Sequence, residues 1–182
     1  MGSGGVVLLD SFTRVRDTLH RTLGDLTPEE LHCEPHPSIG WLAWRLTRVT
    51  DSNISARSNR GQMWIADGWA ERFGMKPEPA DFGRGVTHTR EQVRIFQATV
   101  DLLLGYHDAI FARTSAYLEA VTDEELARVL DEPQYTPRPT VSVRLVSVLD
   151  NAMSNAGMIS YLKGYHRQGG WFPAEAADRP LR

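Results

Sequence analysis

Residues 140–168 read TVSVRLVSVLDNAMSNAGMISYLKGYHRQ. Val141, Leu145, Val148, Ala152, Ile159 and Leu162 recur there at steps of three, four and seven, the period of one face of an α-helix. The stretch therefore predicts a long helix with that face in a core. Asn151 and Asn155, stacked one turn apart, fall beside the apolar face rather than opposite it. Buried amides need hydrogen-bond partners, so a pair of them on the inner side of a helix points to a polar pocket inside a bundle.

Working outward, Pro133, Pro137 and Pro139 make the preceding segment a rigid linker. Before it, Thr89 with Gln92 forms a capping box for a helix predicted from about Arg90 to Val121, carrying Val93, Phe96, Val100, Leu103, Ile110 and Leu118. Ser38 caps another helix, IGWLAWRLTRVTDSNISARSNR, rich in buried-type residues such as Trp41, Trp44, Leu46 and Ile54. The first helix runs from about Val7 to Leu23 on a stripe of Leu8, Phe12, Val15, Leu19 and Leu23. Two short capped turns, LTPEEL at Thr27 and VTDEEL at Thr122, each follow a long helix. The connection after Gly61 is long, with a short helix expected near Trp69 to Phe73. Four long helices with one long crossover between the second and third predict an all-α, four-helix bundle of the up-and-down type. It spans 1–182 as one domain, with 1–6 and 173–182 as flexible ends and Trp171 and Phe172 pinning the tail.

At 182 residues, with 41% hydrophobic and 24% charged residues, the chain suits a single globular core. The net charge of −3 and the lack of a basic run offer no footprint for nucleic acid. No apolar stretch reaches the ~20 residues of a membrane span, and no basic-then-apolar leader opens the chain. The one cysteine, Cys33, suits a reducing compartment, so the expected location is cytoplasmic.

The segments HPSIGWLAWRLTRVTDSNI, WIADGWAERFGM, LLLGYHDAIFART and VRLVSVLDNAMSNAGMISYLKG resemble the DinB/YfiT-like superfamily. That group includes mycothiol-dependent maleylpyruvate isomerase and bacterial thiol S-transferases. The resemblance implies a metal site in typical members: a histidine on the second long helix and a pair four apart on the last, activating a thiol. Matched residue by residue, those positions hold Arg45, Asn151 and Asn155, and Asn53 stands where close relatives have histidine. Arginine has no lone pair to offer and asparagine is a poor neutral ligand, so no bound metal or other cofactor is expected. A register offset of one turn on the second helix puts Arg48 or Ser52 inward instead of Arg45.

The candidate catalytic residues are thus Arg45, Asn151, Asn155 and His107, the last because it lies in a resembling segment. Trp41, Trp44, Arg48, Ser52, Asn53 and Met158 are expected to line the pocket. Arg45 suits an anionic oxygen through its bidentate fork, with Asp51, Asp108 or Asp150 as structural alternatives for its counter-ion. Three readings stay open: a metal-independent, transferase- or isomerase-like enzyme acting on a small organic molecule; a non-catalytic binder or dimeric scaffold; and a metal-dependent thiol S-transferase with differently placed ligands. A small molecule is the expected partner, with a homodimer as candidate assembly and neither nucleic acid nor membrane involved.

Overall fold

A computed structural model describes residues 2–80 and 87–169. Trp171, Phe172 and the expected flexible end at 173–182 lie outside the described residues. Among those residues the protein is all-α, with one isolated bridge between Val129 and Thr140 and no helix long and apolar enough to cross a membrane.

Helix α1 (Ser3–Leu23) begins before the apolar stripe does. The Gly2 amide donates to the Val121 carbonyl at 3.1 Å, and a Cβ on Gly4 would stand 2.7 Å from Leu126. Residues 3–6, expected to be flexible, are thus helical because small residues let this end dock. Helix α2 (Pro28–His32) carries both halves of the Thr27/Glu30 capping box, and α3 (Ile39–Arg57) starts on Ser38, whose hydroxyl accepts the Trp41 amide. The crossover holds α4 (Met63–Ala66), α5 (Trp69–Arg72) and α6 (Arg90–Ile95). Then come α7 (Val100–Ala120), α8 (Asp123–Ala127) and α9 (Val141–His166), each opened by a threonine hydroxyl.

The single helix expected from Arg90 to Val121 is two helices with a break at 96–99. Phe96 adopts an extended conformation (φ −59°, ψ 131°) that turns its ring into the core, 5.3 Å from the Trp44 ring centroid. His32 Nε2 lies 2.8 Å from the Ala98 carbonyl, and Thr99 restarts the chain by accepting the Leu102 amide at 3.2 Å. Periodicity could not show this, because Val93, Phe96, Val100 and Leu103 fit one uninterrupted stripe.

The strict up-and-down order also needs correction. His20 Nε2 lies 2.7 Å from Asp108, and Arg16 covers the Phe111 ring at 4.8 Å, so α1 and α7 are antiparallel. Leu8 shares a cluster with Leu145 while Thr22 meets Ser160, so α1 and α9 are parallel. Tyr106 reaches Asp51 and Arg113 reaches Ser55, so α3 and α7 are parallel too. The crossover carries the chain back along the bundle, giving up–down–down–up. Where α1 and α9 end side by side, Lys163 donates to the Thr22 carbonyl at 2.9 Å and the Arg21 carbonyl at 3.3 Å, and it pairs with Asp25.

Phe96→Ala should cost ~3–5 kcal/mol by opening a cavity, and Thr99→Ala ~1 kcal/mol by removing the cap. Urea denaturation measures both, and a neutral Phe96→Ala would show that its ring does not hold the break.

Candidate functional site

Helix α3 is enclosed from Ile39 to Ser55 at every position except Arg45, because the bundle covers one side and the crossover the other. The side under the crossover bears Trp41, Trp44, Arg48, Asp51 and Ser55, a stripe at steps of three and four. Asp51 is its centre and has no exposed surface. Its Oδ2 accepts the Tyr106 hydroxyl at 2.7 Å and the Trp64 amide at 2.9 Å; its Oδ1 accepts the Met63 amide at 3.0 Å and the Ser55 hydroxyl at 2.9 Å.

Arg48, one turn earlier, lies 3.5 Å from Asp51 Oδ2. It donates to Gln62 Oε1 at 3.2 Å and to the Glu78 carbonyl at 3.0 Å, with its guanidinium 4.5 Å from the Trp64 ring centroid. Ser52 and Gln62 both donate to the Ala80 carbonyl at 3.0 Å. Burial, with the Asp51 carboxylate beside it, pushes the Tyr106 phenol well above its ordinary pKa, so it stays a donor. Arg48 and Ser52 therefore hold the crossover down with their polar atoms in use.

Arg45 is half-buried, its guanidinium 5.8 Å from the Trp41 ring centroid, and burial lowers its pKa. No hydrogen bond or ion pair joins it to Asn151 or Asn155. The counter-ions proposed for it are engaged or turned away: Asp51 with Arg48, Asp108 with His20, and Asp150 on the surface. Of the expected pocket residues, Met158 is on the exposed side of α9 and faces away from the bundle interior.

Trp41 and Trp44 are enclosed. The Trp41 indole N–H donates to His88 Nδ1 at 3.1 Å, and the His88 ring stacks on Trp44 at 4.8 Å. Burial lowers the His88 pKa, and the Arg48 charge adds to this.

The Asn155 amide nitrogen donates to the Asn151 carbonyl at 2.7 Å and to its side-chain oxygen at 3.3 Å. Asn155 Oδ1 is buried with no partner. Asn53 repeats the arrangement on α3, its Nδ2 donating to the Val49 carbonyl at 2.9 Å while Oδ1 is left without a partner.

His107 on α7 faces Thr47, with Nδ1 to Oγ1 at 3.1 Å. The Thr47 hydroxyl spends its proton on the Ala43 carbonyl at 3.0 Å, so Nδ1–H must be the donor to it. That leaves Nε2 as a bare lone pair, buried and unpartnered. Burial, helped by the charges of His20 and Arg16, pushes His107 down to about 4. It is neutral at pH 7, with Nε2 ready to accept a hydrogen bond. Thus His107, Asn53 and Asn155 put one unsatisfied acceptor on each of three long helices.

Sequence reasoning missed Asp51 as a hub, together with Tyr106 and Gln62. The polar run Arg48, Asp51, Ser55 was the available signal, since a helix that keeps one polar stripe inside an apolar stretch has something to bind with it. Cys33 Sγ lies 3.3 Å from His166 Nε2, a pair brought together only by folding and so invisible in the sequence. Among the described residues no group of three or more His, Cys, Asp or Glu side chains is placed to share a metal ion.

Residues 11–159 match the family model of the DinB superfamily. The chain belongs to the DinB superfamily. A crystal structure of a conserved protein from Enterococcus faecalis is similar to this DinB-superfamily chain with a TM-score of 0.78 and 30% identity, covering 90% of this chain and 96% of that one. No curated protein matches it.

Two predictions follow from these groups. Asp51→Ala should destabilise by ~3–5 kcal/mol, since it strands a buried guanidinium and two α4 amides, whereas Tyr106→Phe should cost only ~1–2 kcal/mol. The His107 effect has a definite sign. The unfolded chain takes up its proton near 6.5 and the native protein only near 4, so stability is full above pH ~6.5 and falls as pH drops toward 4. The loss is about 3 kcal/mol across that window. His107→Gln should flatten the unfolding free energy against pH between 6.5 and 4; an unchanged slope would contradict the assignment. Asp25 and Glu30, held near 2 by Lys163 and Arg167, act mainly below this window.

Proposed function

We propose that this DinB-superfamily protein binds and transforms a small organic molecule in the polar interior of its bundle, without a metal. The observation carrying this reading is the set of three enclosed acceptors without partners: His107 Nε2, Asn53 Oδ1 and Asn155 Oδ1. An unsatisfied buried acceptor costs ~1–3 kcal/mol, and a fold that tolerates one on each of three long helices has a use for them. The Asn155 bonds stay within α9, so this pair does not lock α9 to another helix. All three free atoms are acceptors, so the matching ligand presents donors, such as hydroxyl or amino groups.

In this reading His107 receives a ligand donor at Nε2, which burial keeps unprotonated at pH 7. Asn155, supported by Asn151, and Asn53 orient the ligand. Arg45, at the edge and half-buried, supplies a positive charge. The donor set argues against the metal of the wider resemblance: a guanidinium has no lone pair, and one imidazole with neutral amide oxygens holds zinc poorly. No step is routed through such an ion.

Asn155→Leu tests the reading. It should raise the melting temperature by a few degrees, because it removes an unsatisfied acceptor, while abolishing the thermal stabilisation given by amino- and hydroxy-bearing ligands in a screen. Lower stability with ligand response intact would overturn the pocket. Elemental mass spectrometry of untagged protein finding near-stoichiometric zinc or nickel would overturn the metal-free part and restore the thiol S-transferase reading.

A further inference from the structure

Residues 88–98 lie against the tryptophan end of α3 and are held at few points. Helix α6 buries no residue, and in the whole stretch only Phe96 is buried, with His88, Val93 and Ala98 half-buried. Such a stretch opens locally at little cost compared with the bundle beneath it. A histidine fastens each end, in opposite senses. At the far end His32 Nε2 lies 2.8 Å from the Ala98 carbonyl, and a carbonyl only accepts, so this ring nitrogen carries a proton. The Ala98 amide approaches the same nitrogen at 3.3 Å, the longer of the two contacts. At the near end the Trp41 indole N–H donates to His88 Nδ1 at 3.1 Å, so that nitrogen must be bare. The His88 ring also lies on Trp44, 4.8 Å between centroids. Trp44 adds no hydrogen bond, since its indole N–H is buried without a partner.

We propose that residues 88–95 form an acid-released strap: a proton on His88 Nδ1 breaks the bond to Trp41 and lets the strap lift from α3, with Phe96 and Ala98 as the pivot. Protonation turns a ring N–H toward the indole N–H, so two donors face each other where there was one donor and one acceptor. The pivot does not depend on a bare nitrogen, because His32 Nε2 keeps its proton in either state. Lifting uncovers the faces of Trp41 and Trp44 that His88 covers.

The surrounding charges favour release. From α3 the Arg48 guanidinium repels a cation on His88, and Arg45 lies beside the Trp41 ring; from the crossover Glu78 attracts one. On the strap itself Arg90 and Glu91 are exposed. Burial, with Arg48 adding to it, outweighs Glu78 and holds the His88 pKa below its ordinary value while the strap is closed. A lowered value means that closure is complete above the ordinary histidine range near ~6.5 and is lost as pH falls below it.

Glutamyl endopeptidase, which can cut after Glu91 in the strap, tests this on the full chain. Mass spectrometry locates the cut, and its rate is divided by that of a free peptide of residues 87–98 at the same pH. Cleavage of a briefly open state follows the opening equilibrium. Between about pH 7.5 and about pH 5.5 the ratio should rise several-fold, with a ceiling of about tenfold for a group that titrates near 6.5 once released. His88→Gln keeps an acceptor for the indole N–H, and His88→Phe keeps a ring for Trp44, but neither takes up a proton, so both should lose the rise. A wild-type ratio that stays constant overturns the proposal, as does a rise that survives in either variant. A rise matched by cleavage after Glu119 in α7 also overturns it, because the whole bundle is then loosening rather than the strap.

Discussion

The Asp51 carboxylate is the constraint on which this protein's shape depends. It has no exposed surface, yet it carries a charge that must be met. Two backbone amides of α4, the Ser55 and Tyr106 hydroxyls and the Arg48 guanidinium meet it. Those partners come from α3, α7 and the crossover, so satisfying one charge fixes three parts of the chain together. The crossover has little regular structure of its own. Gln62, clasping Ala80 through both its amide atoms, together with Arg48 on the Glu78 carbonyl, extends the same anchoring along it.

This polar cluster and the group inside the bundle are opposites in one respect. Around Asp51 nearly every donor has an acceptor, which is what a structural network looks like. Around His107, Asn53 and Asn155, acceptors are left over. The interior thus leaves acceptors unpaired while the Asp51 cluster has most of its groups bonded, the division expected when one region holds the fold and another is kept for a ligand.

Much of the fold was legible in the sequence. Apolar steps of three and four marked the four long helices, and Thr27/Glu30 and Thr89/Gln92 capping boxes form as read. The break at 96–99 was not legible, because Phe96 fits the helical stripe and leaves it only to reach Trp44. The direction of α7 was hidden as well, since it depends on where a 40-odd-residue crossover lands rather than on local pattern. In the site, Asn155 was found because a polar residue beside an apolar face stands out, and His107 because it lies in a segment that resembles the family. The inward arginine was Arg48 rather than Arg45: α3 is covered on both sides, so burial there follows from the crossover and leaves no one-sided periodicity to read. Met158, expected to line the pocket, lies three residues from Asn155 and so about 60° round the helix from it, which is enough to put it on the exposed side.

The parallel run of α1 and α9 has an electrical consequence. Each helix carries about half a negative charge at its carboxyl end, and placing two such ends side by side sets like poles together. In an alternating bundle the neighbouring poles would cancel. Here Lys163, bonded to the last carbonyls of α1 while belonging to the last turn of α9, acts as the counter-charge for both ends at once, and Arg167 behind it ties Asp25 and Glu30 into the same balance. The topology forced by the crossover at one side of the molecule is thus answered by two cations at the end of another helix.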